Sequence, residues 1–248
     1  MSPAGDDDFE QTWRHRFERY GDAHDDDAGI AGWSSGGLAA RVRRFIQLWE
    51  RTSAEASGQW LDAGCGAGTY TRYLAERGLQ VTAVDYSFPT TRKARERGPA
   101  NVLWATADVT RLPFRDASFD GALCFGVMQA LAGPERAAQE LRRVLRRDAI
   151  VWVDALNAHC VPSAYGEFAR RFRGRPQHLR YDASRRFCAA LQSVGFGSIE
   201  RYWVPVLPSR FQRFQGVVDR PSMQGAFARL PLLGAALSHS FLVRARAV

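Results

Sequence analysis

The segment Trp60-Leu61-Asp62-Ala63-Gly64-Cys65-Gly66-Ala67-Gly68-Thr69 runs from an apolar stretch into glycines at alternate positions and out into a helix-forming stretch. Glycine permits a tight turn and lets a ligand approach the backbone, and the amino end of a helix presents free N–H groups. One strand–helix unit later, Val81-Thr82-Ala83-Val84 ends in Asp85. A carboxylate at the carboxyl end of the second strand of such a unit is placed to accept both hydroxyls of a ribose. A dinucleotide-binding turn would carry Gly-x-Gly-x-x-Gly. Here the third glycine comes one residue early, at Gly68, and Thr69 holds the place that spacing requires.

These residues need a sheet to hold them. From residue 58 onward, short apolar runs at 60–63, 81–84, 102–105, 121–125 and 150–155 predict strands, separated by helical stretches at 69–77, 90–97 and 134–147. Strand and helix alternating in this way imply a parallel sheet covered on both faces. A further helix over 183–193 ends at Gly195, and strands are predicted at 199–206 and 240–247, with a helical insertion at 207–239. Ahead of the sheet, Phe9, Trp13, Phe17 and Tyr20 recur at helical spacing, and a second helix over 37–56 places Leu38, Val42, Phe45, Ile46 and Trp49 on one face. Residues 1–8 and 22–29 are acidic or small and are expected to be solvated and loosely ordered. The domain reading is an acidic tail and helical lid over 1–57, followed by the main domain over 58–248.

Further along the chain come Ala107-Asp108-Val109, Leu112-Pro113-Phe114, Ser118-Phe119-Asp120 and Phe125-Gly126-Val127-Met128. Taken with the glycine segment and Asp85, in this order, they resemble the class I S-adenosylmethionine-dependent methyltransferase family, of the type that acts on small molecules. The resemblance is close over 58–155 and looser through Gly195-Phe196 and the last strands. It implies an α/β fold, a Rossmann-like, doubly wound, seven-stranded and mostly parallel sheet with its last strand antiparallel, plus an amino-terminal helical lid. It also implies S-adenosyl-L-methionine as cofactor. By that resemblance Asp62 and the loop Gly64, Cys65, Gly66 and Gly68 hold its methionine part, and Asp85 binds the ribose. Tyr86 lies against the adenine, Asp108 accepts from the adenine amino group, Val109 meets the ring through its backbone, and Phe125 offers a carbonyl near the methionine end. Tyr20, on the lid, becomes a further cofactor contact. One turn departs from the family pattern: many members carry Pro-Gly-Gly before the fifth strand, where this chain has Arg146-Arg147-Asp148.

Methyl transfer from a sulfonium is an in-line displacement, and holding acceptor and methyl collinear at about 3 to 3.5 Å supplies most of the advantage. A base is needed only where the acceptor must lose a proton. His159, just beyond the fifth strand, is the candidate catalytic base, against its reading as an exposed loop histidine. His15 and His178 are secondary candidates, and Tyr165 and Tyr181 are candidate acceptor contacts. Cys65 reads as a small packing residue in the loop. The aromatic lid and the insertion residues Phe211, Phe214, Phe227, Leu230, Leu232 and Leu233 favour an acceptor with apolar or aromatic surface, methylated on oxygen, nitrogen or carbon.

At 248 residues and 46% hydrophobic composition, the chain is long and apolar enough for one sizeable core, which excludes a disordered or disulfide-built protein. Cys65, Cys124, Cys160 and Cys188 are far apart, with no zinc spacing among them, so neither a disulfide framework nor a metal site is expected. No apolar run is long enough to span a bilayer and the first residues are acidic, which reads as cytoplasmic, with peripheral membrane contact still open. The net charge of +8 comes almost wholly from arginine, since Lys93 is the only lysine, and it is spread along the chain; its densest cluster runs from Arg170 to Arg186. Diffuse charge without an RNA-binding module weighs against a nucleic-acid partner. The alternatives are an RNA methyltransferase, a nicotinamide-dependent oxidoreductase and a non-catalytic cofactor-binding protein. Nothing in the sequence specifies the acceptor or the oligomeric state.

Overall fold

The computed structural model describes residues 4–174, 179–207 and 209–248; Arg175 and His178 lie outside them. Seven strands form one sheet: β1 (Gln59–Ala63), β2 (Gln80–Asp85), β3 (Leu103–Thr106), β4 (Phe119–Cys124), β5 (Leu145–Leu156), β6 (Phe196–Val204) and β7 (Ser240–Ala247). Their order is β3-β2-β1-β4-β5-β7-β6, with β7 antiparallel to both neighbours and every other pairing parallel. The order reverses direction at β1, so the carboxyl ends of β1 and β4 open a crevice where ligands of such sheets bind.

The helices in chain order are α1 (Ala4–Ala23), α2 (Asp27–Ile30), α3 (Ser35–Thr52), α4 (Thr69–Ala75), α5 (Phe88–Arg97), α6 (Glu135–Val144), α7 (Val161–Phe172), α8 (Ser184–Ser193), α9 (Gln215–Val218), α10 (Pro221–Arg229) and α11 (Pro231–Leu237). Strand alternation divides the core into two layers. Leu61, Ala63, Cys124, Val151 and Val153 point to one face, where Ala137, Leu141 and Val144 of α6 and Phe187 and Leu191 of α8 cover them. Trp60, Leu123 and Trp152 point to the other, against Phe45, Leu48 and Trp49 of α3 and Tyr73 and Leu74 of α4. Gly121 makes room for Trp60, since a Cβ there would overlap the indole ring.

Several local expectations change. The acidic start is helical from Ala4 onward, because α1 continues through the aromatic stripe, and α2 interrupts the loop after it, capped by Asp26 accepting from the Gly29 N–H at 2.9 Å. Helix α6 stops at Val144 and β5 starts at once, with Phe119 paired to Leu145 and a register shift before Gly121. Asp148 takes φ 64° there, so an aspartate occupies the left-handed position that the missing glycines would otherwise supply. Helix α7 carries no sequence expectation and buries none of its residues. The insertion is helical, as expected. It is anchored by Phe227, Gln215 and Gln224, while Phe211, Phe214, Leu230, Leu232 and Leu233 stand exposed.

Candidate functional site

At the carboxyl ends of β1, β2 and β4, beneath α1 to α3, lies a cavity of about 1120 Å³ with its open mouth included. Gly64, Cys65 and Gly66 form its floor, and Asp85, Tyr86, Asp108, Val109 and Phe125 line it. Asp62, Gly68, Tyr20 and His159 do not.

Asp85 accepts from the backbone N–H groups of Gly66 and Ser87, both at 2.9 Å, one on each oxygen. Each oxygen keeps a second lone pair, and burial pushes the carboxyl up against those backbone donors. One strand further, Asp108 accepts from Thr110 N and Oγ1 at 2.8 and 2.7 Å on one oxygen and from Arg14 of α1 at 2.6 Å on the other. Burial raises the Asp108 carboxyl, but the Thr110 hydrogen bonds and the Arg14 charge outweigh it and hold it below the usual range. The same Arg14 guanidinium lies 4.4 Å over the Tyr86 ring. Trp13, the residue before it, and Phe17, a turn after it, complete this part of the roof.

The opposite wall sits at the β4–β5 end. Arg41 of α3 donates to Asp154 of β5 at 3.0 Å, both side chains nearly buried, and Asp154 accepts from Gly126 N at 2.7 Å on its other oxygen. The Arg41 guanidinium is 4.0 Å from the Trp33 ring centre, and Tyr70 meets Phe125 edge-on at 4.8 Å. Burial pushes Arg41 down and Asp154 and the Tyr70 phenol up. The Cys65 thiol is likewise pushed up by burial first and by Asp85 and Asp62 next, which makes it a packing group rather than a nucleophile.

Four sequence candidates sit elsewhere, each for a local reason. Asp62 turns into the sheet, accepts from the Thr71 hydroxyl and is pushed up to about 7, chiefly by burial. Gly68 starts α4 at φ 81°, packed under Trp104. Tyr20 shares the face of Phe17 but lies a turn further along α1, against Gly32 and edge-on to His24. His159 is exposed on the loop after β5, where its own N–H donates to Asn157 at 3.0 Å. His15 is exposed beside Glu18, Tyr165 is 74% exposed, and Tyr181 packs on His239.

Sequence reading missed Arg14, Trp33, Arg41, Tyr70 and Asp27. Arg41 had a signal: it falls three residues after Leu38 and four before Phe45, on the apolar face of its helix, where an unpartnered cation would be costly.

Sheet order, glycine turn and paired strand-end carboxylates define a class, and the chain carries a class I S-adenosylmethionine-dependent methyltransferase domain. Residues 61–153 match the family described as a methyltransferase domain. The chain is 32% identical over 149 residues to malonyl-[acyl-carrier protein] O-methyltransferase of Pseudescherichia vulneris, a match covering 60% of this chain and 55% of that one. It is 30% identical over 141 residues to 2-phytyl-1,4-naphtoquinone methyltransferase of a Nostoc species, covering 54% and 59%. The chain thus spans little more than half the length of these relatives. In fold it resembles Haemonchus contortus phosphoethanolamine N-methyltransferase 2 bound to S-adenosyl-L-methionine, with a TM-score of 0.64 at 17% identity over 93% of this chain and 60% of that one.

Proposed function

We propose that the protein transfers a methyl group from S-adenosyl-L-methionine to oxygen or nitrogen of a small, partly apolar acceptor. The observation that carries this reading is the cavity flanked by Asp85 and Asp108 at consecutive strand ends, with the Gly64–Gly66 turn as its floor. The residues fit the cofactor. A Cβ on Gly66 would project into open space, and Asp85 retains lone pairs for a ribose. When bound, S-adenosylmethionine supplies a methyl group on a sulfonium, electrophilic without further activation.

In this reading Asp85 holds the two ribose hydroxyls, Tyr86 and Val109 sandwich the adenine, and Asp108 accepts from its amino group while Arg14 covers it. Strand order then carries the methyl toward the β4–β5 end, where Trp33, Tyr70 and Phe125 form an apolar wall around the Arg41–Asp154 pair. Asp154 is held by Arg41 and the Gly126 N–H, and no histidine lines the cavity among the described residues. In this reading catalysis rests on alignment and exclusion of water, and His159, the candidate base, lies outside the lining of the cavity. The relatives that act on a quinone and on a carrier-bound acyl group fit an acceptor of this character. A cytoplasmic location belongs to the same proposal and is supported by four free cysteines.

The test is thermal shift with S-adenosylhomocysteine and reduced nicotinamide dinucleotide on wild type and Asp85→Ala, followed by labelled methyl transfer to phenols, carboxylates and amines. At about 100 times its dissociation constant a ligand stabilises by about 2.7 kcal/mol. Stabilisation by S-adenosylhomocysteine alone, weakened in Asp85→Ala, supports the cofactor assignment. Stabilisation by the nicotinamide compound, or transfer to RNA without transfer to any small acceptor, overturns the reading.

A further inference from the structure

Helix α7 is twelve residues long and buries none of them on the protein. Its inner side, with Ser163, Glu167 and Arg170, is half-buried, while its outer side is apolar; isolated helices of that length are marginal in water, so a partner on the apolar side would add the packing that the chain itself does not supply there. Val161, Tyr165, Phe168 and Phe172, spaced four, three and four apart, form one stripe and are 62%, 74%, 68% and 86% exposed. Helix α11 packs beside it and adds Leu232, Leu233 and Leu237, at 87%, 44% and 48%. Side chains this exposed stand proud of the surface as a ridge. Arg171 and Arg173 flank the stripe, Arg229 lies before α11, and none of the three makes an ion pair with a described residue.

We propose that the α7–α11 ridge docks the protein on an anionic membrane surface. Aromatic and aliphatic groups on one side and arginines beside them are the composition of helices that lie in the lipid interface, where Phe and Leu enter the acyl boundary and arginine stems reach back to headgroups. A second copy seated on this ridge is disfavoured by charge, because a two-fold contact would set the arginines of both copies side by side. The ridge also adjoins the cavity. Ser163 of α7 hydrogen-bonds His239 at 2.9 Å, and the His239 ring meets Trp33 of the cavity wall edge-on at 6.2 Å. Docking would therefore bring the acceptor end of the cavity to the lipid, so an amphipathic acceptor can enter from the bilayer. That last step rests on the function proposed above; the docking does not.

The experiment is flotation of the full chain with vesicles of phosphatidylcholine alone and of phosphatidylcholine with one third phosphatidylglycerol, at low and high salt. The variants are Phe168→Glu with Phe172→Glu, and Arg171→Glu with Arg173→Glu. Their fold is checked by circular dichroism, and their cofactor site by stabilisation with S-adenosylhomocysteine. Wild type is expected to float with the anionic vesicles only, less at high salt, and each double variant to lower the bound fraction on the order of tenfold while keeping its ligand-induced shift. Absence of flotation with anionic vesicles, flotation of both variants equal to wild type, or a wild-type dimer in solution that the Phe variant dissolves would each overturn the proposal. An acidic carrier protein that binds the ridge in place of vesicles overturns it as well. Loss of the S-adenosylhomocysteine shift in wild type counts against the cofactor site and leaves the flotation result to stand on its own.

Discussion

Arg41 and Asp154 face each other with about one-twentieth of each side chain exposed, and two of the guanidinium nitrogens, Nε and Nη2, lack a partner among the described residues. Desolvation costs such a pair several kcal/mol per ion, so its value lies in the geometry it holds: Gly126 and Trp33 around the acceptor wall. Arg41→Met strands a buried carboxylate and is expected to destabilise by about 3–5 kcal/mol in urea unfolding. Adding Asp154→Asn removes that charge while keeping an acceptor for Gly126, so the double variant should recover at least half of the loss. Asp62 gives a second prediction. Its carboxyl, pushed up to about 7 chiefly by burial, starts from an ordinary value of 3.8. An acid raised in the folded state contributes stability that is whole below its unfolded value and disappears as pH rises through the folded one. Asp62→Asn should therefore flatten the fall of Tm across the window from 3.8 to about 7. His239, lowered to about 4 from 6.5 by burial and then by Arg41, has the opposite sign: its contribution is present above 6.5 and lost as pH falls through 4.

At the scale of elements, the β1–α4 turn separates folding from binding. Gly66 sits at φ 53° with nothing near the place of a Cβ, whereas a Cβ on Gly64, at φ 84°, would overlap Val127. Gly66→Ala is expected to cost about 1–2 kcal/mol in stability and on the order of tenfold or more in S-adenosylhomocysteine affinity. Gly64→Ala should lose more stability than that, and calorimetric unfolding beside ligand titration distinguishes the two. This turn and Asp85 were legible in the sequence because strand, turn and helix follow one another locally, so residue types report geometry directly. The lid was legible as helices but not as a site. Arg14 and Arg41 acquire their partners only when α1 and α3 fold back over strands a hundred residues away, at Asp108 and Asp154. Tyr20 and His159 lie outside the cavity lining for the same reason: helical spacing and loop position say which side chains are near one another in sequence, not which turn reaches the cavity.

For the whole molecule, charge is the property most easily misread. The excess of arginine looked diffuse along the sequence, yet in the fold many of these residues have assigned work. Arg14, Arg41, Arg72 and Arg97 fasten the lid segments, Arg143 holds the loop before β4 through Glu140 and Asp116, and Arg244 pairs Glu200. Arg171 and Arg173 beside α7 and Arg229 before α11 are among the arginines that make no ion pair with a described residue, and the salt dependence of the proposed membrane binding should reside in these three. Arg14→Ala, at a half-exposed pair, should change stability by less than about 1 kcal/mol. Its larger expected effect is on the order of tenfold weaker S-adenosylhomocysteine binding in a titration.

The roof itself governs timing. Glu10 accepts from Ala132 N at 2.8 Å, Asp27 holds Thr69 and Arg72, and Lys93 donates to the backbone of Asp22 and His24, so the first two helices are tied to the loops and helices around the cavity on several sides. On the proposed function, release of spent cofactor past this cover requires those ties to open. The slow event in a catalytic cycle would then be exit rather than chemistry, and acceptors of different reactivity would turn over at one shared maximal rate that falls in proportion to added viscosity.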